Sequence, residues 1–572
     1  MIKQSIVHKV NRDFCYSTNP QIFVIRLITA RNDVSAVNYL HKDKYLKSDS
    51  NKIISTPMKK VAQDSLFDYY EVQYKNESLS TRYCFEIIAD NKRYYYSGYH
   101  FYDEVPQLAE LFFTMPKRMH EIDSLKDIPW MNQGIVYQIF PDRFNRGTKQ
   151  TKTNLTDWDK KVPGWMDKFG GTLNGITEKL DYLSELGVNI IYLTPIFKSP
   201  SSHKYDTTDY MKIDEDFGSE QDLKALVDNC HAKGMYVILD CVFDHSGSNF
   251  APFKDLLEKG EHSEYADWFH VTHFPISKKM IDNRDFDTFS YYGGMPKLNV
   301  DNEKVREYVS KVVHHWMDDY KIDGWRLDVA DEVAHSFWVY FRRLVKSIKP
   351  DAPIIGEVWY DPSDWLHGDE FDSSMNYPFS NAVNAWIANR DITPSDFINE
   401  INFIRGNTNI NAYNMLWNLI DSHDSARFLH CTKENKNKLK LAVLIQMTMS
   451  GTPMIYYGDE VGMTGGNDPE CRRGMVWDKD KQDLALFAYY QKLIALRKDN
   501  SCLYSGQLRL EYCDDIANFM VYSKEDKNGK MFVAINNSDE EYIYEPFNGK
   551  KDLITDCTIS SAVPPYTGFI YR

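Results

Sequence analysis

Eight short apolar runs of strand type recur through the middle of the chain, and helical stretches separate them. VNIIYLTP and MYVILD are two of the runs, and DLKALVDNCHAKG is one of the helical stretches. Strands that alternate with helices form a parallel sheet covered by helices, and eight such units close into a (β/α)8 TIM barrel. An open doubly wound sheet is the alternative, but the eight strands and the lack of a Gly-rich fingerprint weigh against it. The runs are residues 134–140, 188–195, 235–240, 322–328, 353–358, 371–377, 415–421 and 453–460.

The barrel is predicted to be the central part of a multidomain α/β protein. β-type runs with polar turns precede it over residues 1–122 and follow it over residues 501–572, and we interpret each region as a β-sandwich domain. The barrel itself takes residues 123–500. An unusually long insertion, residues 241–299, follows its third strand. We expect this insertion to form an excursion domain over the rim of the barrel.

Composition argues against several classes of protein. The net charge of −15 provides no basic excess for nucleic-acid phosphates, but it is compatible with a neutral substrate. The sequence starts without an apolar leader and contains no long uncharged apolar run, so neither signal-peptide export nor a membrane span is expected. Nine cysteines without a C-x-x-C pair favour reduced thiols in a cytoplasm over a disulfide framework.

Three acidic residues follow strand-type runs in the second half of the barrel. GWRLDVADE, IIGEVW and NLIDSHD place Asp328, Glu357 and Asp424 at C-terminal ends of strands, the rim where barrel enzymes build their active sites. Glycoside hydrolysis needs two carboxyl groups across the bond, one to attack the anomeric carbon and one to protonate the leaving oxygen. A third carboxylate can hold a distorted sugar. A single acid here would be read as a helix cap, but three in this order favour catalysis.

Six stretches carry a resemblance to a known family. MPKLN, in the predicted excursion domain, is typical of a narrower group within that family, and residues 1–122 resemble the starch-binding-type N-terminal domain of the same enzymes. Over nearly its whole length the chain resembles the α-amylase family of glycoside hydrolases, and within it the neopullulanase, cyclomaltodextrinase and maltogenic amylase group. The stretches are HKYDTTDY (203–210), DCVFDH (240–245), MPKLN (295–299), GWRLDVADE (324–332), GEVW (356–359) and DSHD (421–424).

The resemblance gives each of the three acids a role. Asp328 matches the nucleophile, Glu357 the general acid/base and Asp424 the stabiliser of the distorted sugar. Arg326 lies two residues before Asp328, and so on the same face of the strand, where we expect it to keep the pKa of the nucleophile low. We expect the apolar residues on either side of Glu357 to raise the pKa of this acid.

The resemblance also implies a set of sugar-binding residues. His245 and His423 match histidines that hydrogen-bond the sugar at the cleavage site, and Tyr205 matches a ring that stacks on it. Asp468 and Arg472 match residues that grip a sugar on the non-reducing side, although their spacing is also that of an ordinary surface ion pair. The other matches are Asp240 near the base of the site and, along the reducing side, Phe289, Glu332, Trp359 and Tyr377. For these aromatic residues a place in the core is the competing interpretation.

No metal cofactor is expected. Many amylases hold a structural calcium through an Asn before the histidine of the first motif, and that position here is Asp244, which could also ligate calcium. A second site in the narrower group needs an Asn/Asp-rich loop after the first strand and an Asp after a Gly-Gly pair. The loop here reads RFNRGTKQTKTN, and Thr172 follows the glycines. Calcium prefers several charged oxygen ligands, so we expect weak or no dependence on it. Zinc at His203, His245 and His423 is disfavoured because no H-x-x-x-H helix accompanies them.

Together with the thiols, the resemblance implies a cytoplasmic retaining hydrolase that acts on α-glucosidic bonds. The expected substrates are cyclodextrins, pullulan and maltooligosaccharides, with cleavage of α-1,4 and in some substrates α-1,6 bonds. A transglycosylase is the nearest alternative, because a sugar instead of water can capture a covalent glycosyl intermediate. A non-catalytic glucan-binding protein on the same fold is a further alternative, but it would not need the three acids.

The resemblance further implies a homodimer formed through the N-terminal domain. In the resembled group this domain reaches the barrel of a second subunit and narrows the mouth of its site, and two-fold symmetry would serve both chains alike. The aromatic-rich runs YYEVQY and RYYYSGYHFY carry more rings than a small sandwich core needs. The alternative is that these rings pack against the barrel of their own chain.

Overall fold

The computed structural model of the chain describes residues 1–19, 21–46, 52–75, 77–116, 124–277 and 279–572. The predicted boundary between residues 122 and 123 lies outside these residues. Among the helices in the described ranges, none combines the length and the apolar composition needed to cross a bilayer.

The N-terminal domain consists of two antiparallel sheets that share one core, to which Leu27, Tyr39 and Phe85 contribute. Strand Ile22–Ala30 is buried along most of its length, and the side chain of Arg26 donates to the barrel through Thr408 O at 2.9 Å. The first sheet contains Cys15–Asn19, Ile22–Ala30, Phe67–Lys75 and Lys59–Gln63, in that order. The second sheet contains Ile54–Pro57, Ala36–Asp43, Ser80–Ala89, Lys92–Ser97 and His100–Tyr102, with Phe113–Pro116 paired to Ser80–Ala89.

The predicted barrel is confirmed, because each of the eight apolar runs contains a parallel strand and neighbouring strands pair around the ring. The sixth and seventh strands are joined by a parallel bridge between Met375 and Trp417, which closes the circle. In the register of the third and fourth strands, Asp240 lies beside Arg326. The strands are Val136–Ile139, Ile190–Leu193, Tyr236–Cys241, Gly324–Leu327, Ile354–Gly356, Ser373–Ser374, Trp417–Leu419 and Thr452–Tyr456.

Helices surround the barrel and bury their apolar faces on it. In helix His335–Ile348, Phe337, Phe341 and Val345 recur at a spacing of four and are all buried. Helix Glu220–Ala232 begins with a capping box in which Ser219 accepts from the amide of Asp222. The longer helices are Leu180–Leu186, Glu220–Ala232, Glu303–His314, His335–Ile348, Tyr377–Val383, Pro394–Asn407, Lys436–Thr448 and Leu484–Asp499. Shorter ones are Pro129–Asn132, Pro141–Phe144, Leu173–Thr177, Ile410–Met415, Phe428–Cys431 and Ser501–Ser505.

In its described residues, the excursion after the third strand contains the α-helix Ala251–Lys259 and three short 3-10 helices, Gly260–His262, Ala266–Trp268 and Phe289–Tyr291. Isolated bridges, such as that between His245 and Lys297, also hold it. The C-terminal domain is a four-stranded antiparallel sheet with a small second sheet, and its core includes Phe519 and Val563. Its strands are Gln507–Asp514, Phe519–Asp526, Gly529–Asn536 and Thr567–Tyr571, and the second sheet pairs Tyr542–Ile543 with Ala562–Val563.

Candidate active site

The fold brings the predicted acids to one end of the barrel. Asp328 follows the fourth strand directly, Glu357 follows the fifth, and Asp424 lies five residues after the seventh. The C-terminal ends of parallel strands point to the same rim, so residues far apart in sequence meet there. Asp328 and Glu357 are buried, with 7% and 4% of their surface exposed.

Arg326 connects three carboxyl groups beneath the cavity. Its Nη1 lies 2.9 Å from both oxygens of Asp240 and 2.9 Å from Asp328 Oδ1, and its Nη2 forms an ion pair with Glu357 Oε1 at 2.7 Å. The arginine is fully buried. One guanidinium therefore faces three acids in a region of low dielectric, where like charges repel strongly.

Asp328 and Asp240 retain their protons more readily than isolated acids would. Burial and the nearby charge of Glu357 raise the pKa of Asp328 well above its usual value, although Arg326 acts in the opposite direction. Burial likewise raises the pKa of Asp240 to about 6, against the opposing charge of Arg326. The sequence-based expectation of a low pKa for Asp328 is therefore wrong, because desolvation outweighs the arginine. Asp328 must lose its proton before it can act as a nucleophile, so its protonation state limits the reaction at low pH.

Glu357 is held by polar contacts that its apolar neighbours in sequence did not predict. Val329 N donates to its Oε2 at 3.1 Å and Trp359 Nε1 to its Oε1 at 3.2 Å. Val329 has φ of 46°, a left-handed conformation that a β-branched residue rarely adopts, and this strain aims its N–H at the acid. Gly356 is required because a Cβ there would lie 2.4 Å from the ring of Phe371.

On the opposite side, Asp424 is fixed by a histidine and an arginine. Arg472 Nη2 donates to Asp424 Oδ1 at 2.9 Å and lies 3.2 Å from Asp468 Oδ2. His423 Nε2 lies 3.0 Å from Asp424 Oδ2, and its Nδ1 lies 2.7 Å from Gln138 Nε2. Burial, together with the charge of Arg472, lowers the pKa of His423 well below its usual value, so this histidine is neutral.

Most of the predicted site residues line one cavity of about 510 Å³. Four others lie beneath its floor: Asp240, Arg326, Tyr377 and His423. Trp359 is 48% exposed and stacks on Tyr377 with ring centres 4.0 Å apart, so a core role for Trp359 is excluded while Tyr377 supports it from below. The predicted residues that line the cavity are Tyr205, His245, Phe289, Asp328, Glu332, Glu357, Trp359, Asp424, Asp468 and Arg472.

The cavity also contains residues that motif matching missed. Trp165 comes from the long loop after the first strand, and Asp331 lies within GWRLDVADE but was given no role. Trp165 has neither a periodic nor a motif signal, and only its exposure in the fold distinguishes it. A larger cavity of about 650 Å³ lies where the three domains meet, and Arg405 already neutralises Glu71 there at 2.6 Å. Chemistry, and not size, therefore identifies the active site.

A (β/α)8 barrel with two adjacent carboxyl groups at its rim, a third carboxylate opposite and an aromatic-walled cleft defines a glycoside hydrolase. The sequence pattern described as "Alpha amylase, catalytic domain" matches residues 138–506, and that described as "Alpha amylase, N-terminal ig-like domain" matches residues 1–118. The chain belongs to the α-amylase family.

Similar proteins cover the whole chain. The "Cyclomaltodextrinase" of Geobacillus thermopakistaniensis (strain MAS1) is 39% identical, over 100% of this chain and 99% of that protein. "Neopullulanase 2" of Thermoactinomyces vulgaris is 39% identical, over 98% of this chain and 96% of that protein. A solved structure titled "Cyclomaltodextrinase" superposes with a TM-score of 0.93 at 37% identity and covers 100% of both chains. The predicted fold and family are thus confirmed.

Proposed function

We propose that this enzyme hydrolyses α-1,4 and, in some substrates, α-1,6 glucosidic bonds of cyclodextrins, pullulan and maltooligosaccharides, with retention of configuration. The observation that carries the proposal is the pair of carboxyl groups on adjacent strand ends, Asp328 and Glu357, both held by Arg326. The names of the relatives, cyclomaltodextrinase and neopullulanase, support the substrate class.

The proposed reaction takes two displacements. Asp328 attacks the anomeric carbon while Glu357 gives a proton to the leaving glycosidic oxygen, and a glycosyl–Asp328 ester forms as that bond breaks. Glu357, now ionised, takes a proton from water as the water oxygen attacks the same carbon and releases Asp328. The shared contact with Arg326 keeps both carboxyls in place through both steps. Asp424 accepts hydrogen bonds from hydroxyls of the distorted sugar.

The walls of the cavity provide the proposed sugar contacts. Tyr205 stacks on His423 with their rings 7° from parallel, which presents its outer surface to the sugar at the cleavage site. Phe289 stacks on His245 with ring centres 5.1 Å apart. Asp468 and Arg472 bind the non-reducing side, while Glu332, Trp359 and Phe289 form the reducing side. Tyr377, which was predicted for the reducing side, is buried and only supports Trp359.

Product analysis tests the proposal. Purified enzyme is incubated separately with β-cyclodextrin, pullulan and maltoheptaose, and reducing sugar and product length are measured over time. Hydrolysis gives short products from each substrate, whereas products longer than the starting maltoheptaose would identify a transglycosylase. Glu357→Gln, incubated in parallel, should release no sugar above background, because the leaving oxygen loses its proton donor. Binding without turnover by the unaltered enzyme would contradict the proposal.

We further propose that the enzyme works without calcium. At the calcium position that would include Asp244, Lys297 Nζ lies 3.1 Å from Asp244 Oδ1, so an ammonium already balances the charge of that carboxylate. In the loop after the first strand, where the second calcium site would lie, Arg146 donates from Nε to Phe169 O at 2.8 Å and from Nη2 to Thr156 O at 2.7 Å. Lys297 and Arg146 therefore contact oxygens that could otherwise serve as calcium ligands. In the described residues, no three His, Cys, Asp or Glu side chains cluster as a metal site.

We also propose a homodimer formed by the N-terminal domain. The first sheet of this domain packs on its own barrel, where Glu71 pairs with Arg405 at 2.6 Å. Leu79, Tyr99 and Leu108 adjoin the second sheet and are 71%, 59% and 59% exposed. Apolar side chains exposed to this degree favour a protein interface.

Sedimentation of the full chain at micromolar concentration tests the dimer. A variant with Leu79, Tyr99 and Leu108 all changed to serine should sediment as a monomer and show a higher ratio of starch to β-cyclodextrin hydrolysis. Leu484→Ser, at a residue 54% exposed on the barrel, is the matched control and should stay dimeric. A monomeric unaltered protein would contradict the dimer proposal.

We propose a cytoplasmic location on the strength of the thiols. All nine cysteines are unpaired in the described residues, and six of them are buried. Unpaired thiols persist in a reducing compartment. When the unaltered protein is unfolded without a reducing agent and its free thiols are titrated, nine should be found. A lower number would count against a cytoplasmic location.

A further inference from the structure

Trp165 occupies a place in the active site that the catalytic motifs do not explain. The residue is 54% exposed, yet it lines the same cavity as the three catalytic acids. Its ring centre lies 5.7 Å from the guanidinium carbon of Arg472, the residue that also contacts Asp424 and Asp468. A large aromatic surface left open beside a polar pocket marks a place where a ligand with an apolar face can bind.

The loop that carries Trp165 is held in one conformation. Residues 164–167 form a turn in which Asp167 N donates to Gly164 O at 3.1 Å and Gly164 N donates to Asp167 Oδ2 at 2.6 Å. Arg143 Nη2, which is buried, donates to Asp167 O at 2.9 Å, and Ser202 Oγ donates to Trp165 O at 3.4 Å. The ring is therefore presented by a fixed backbone, so its binding surface is formed before the substrate arrives.

A glucosyl unit matches this combination of groups. One face of a glucose ring exposes C–H groups that stack on an indole, while its hydroxyls around the edge need charged or polar partners. The indole of Trp165 provides the surface on which the C–H face can stack, and Asp468 and Arg472 provide polar partners for the hydroxyls. We propose that Trp165 is the stacking platform for a glucosyl unit on the non-reducing side of the cleft and that it sets the preference for substrates long enough to reach it. This inference rests on the proposed hydrolysis of α-glucans.

Kinetics on a long and a short substrate test the platform. Trp165→Ala should raise KM for maltoheptaose about tenfold, which is the scale of a lost aromatic stacking contact, and should leave kcat within about twofold. 4-Nitrophenyl α-D-glucoside has one glucosyl unit and cannot reach the platform, so its kcat/KM should not change. Trp165→Phe retains an aromatic face and should recover most of the affinity for maltoheptaose.

A neighbouring residue supplies the matched control. Met166 lies on the same turn, is 78% exposed and is not among the residues that line the cavity. Met166→Ala should therefore leave KM for both substrates unchanged, whereas a general disturbance of the turn would affect both variants alike. Binding of maltoheptaose to the inactive Glu357→Gln enzyme should quench tryptophan fluorescence, and this quench should be smaller in Glu357→Gln/Trp165→Ala.

The outcomes separate this inference from the proposed function. An unchanged KM for maltoheptaose in Trp165→Ala, with an active unaltered enzyme, would overturn the platform alone. Equal losses on the long and the short substrate would also overturn it, because they would show a structural role. Absence of turnover by the unaltered enzyme on every α-glucan would instead remove the proposed function.

Discussion

Arg326→Lys tests how much the catalytic cluster depends on one guanidinium. The arginine is fully buried and contacts Asp240, Asp328 and Glu357 at 2.7 to 2.9 Å. A lysine keeps the charge, but its single ammonium cannot bridge three carboxyls. Removing one partner of a buried ion pair costs about 3–5 kcal/mol, and because the charge remains we expect a loss of about 3 kcal/mol in the free energy of unfolding.

The same change should affect catalysis more selectively than stability. With two of the carboxyls less well held, we expect kcat/KM on β-cyclodextrin to fall by about 100- to 1000-fold, or about 3–4 kcal/mol of transition-state stabilisation. The pKa of Asp328 is already raised by burial, and a weaker opposing charge should raise it further. The acidic limb of the pH–activity profile should therefore move to higher pH, because the nucleophile must be ionised to react.

The contribution of Asp240 to the free energy of unfolding should fall as pH rises. Asp240 has a pKa raised from 3.8 to about 6, so the folded state binds this proton more tightly than the unfolded state. Its stabilising contribution is complete below pH 4 and is lost as pH rises through 6, by about 3 kcal/mol. In Arg326→Lys this decline should extend to higher pH, which urea unfolding at a series of pH values would measure.

Arg342→Lys is the matched control for this experiment. Arg342 is a buried arginine that pairs with Asp372 at 2.8 Å on the barrel, and it does not line the catalytic cavity. Its replacement should destabilise the fold to a similar degree and leave the pH–activity limb in place. If Arg326→Lys kept kcat/KM within threefold and an unshifted acidic limb, the argument that one guanidinium organises the cluster would be refuted.

Three further predictions concern the chemistry. Asp328→Asn, Glu357→Gln and Asp424→Asn should each lose at least about 1000-fold in kcat while keeping the circular dichroism and melting temperature of a folded protein, and near-normal activity in any one would remove its assigned role. NMR of the first product formed from maltoheptaose should show the α-anomer, since two displacements retain configuration, and a β-anomer would rule out the covalent route. Treatment with a calcium chelator should change neither activity nor melting temperature, whereas a large loss restored by calcium would contradict the proposed role of Lys297 and Arg146.

Local sequence predicted the architecture well where a pattern repeats. The eight apolar runs predicted eight strands, and an acid directly after a strand must lie on the rim, as it does for Asp328 and Glu357. The polar contacts of Glu357 were not predicted, because most of them come from other segments of the chain. Arg326 and Val329 come from the neighbouring strand and the loop after it, and only Trp359 among the partners is close in sequence. Trp165 gave no signal at all, since it lies in an irregular loop without period or motif.

The amino-acid sequence by itself determined which residue types follow each strand, and therefore which chemistry the rim can contain. The periodicity of apolar side chains is a local property, so the barrel and the order of its acids can be read along the chain. Only the tertiary structure decided the pKa of Asp328, because desolvation and the charge of Glu357 depend on distances in space and not on separation in sequence. It also decided that Trp165 faces the cleft, because Arg143 holds the carbonyl of Asp167 and Ser202 that of Trp165, and no local pattern encodes these contacts.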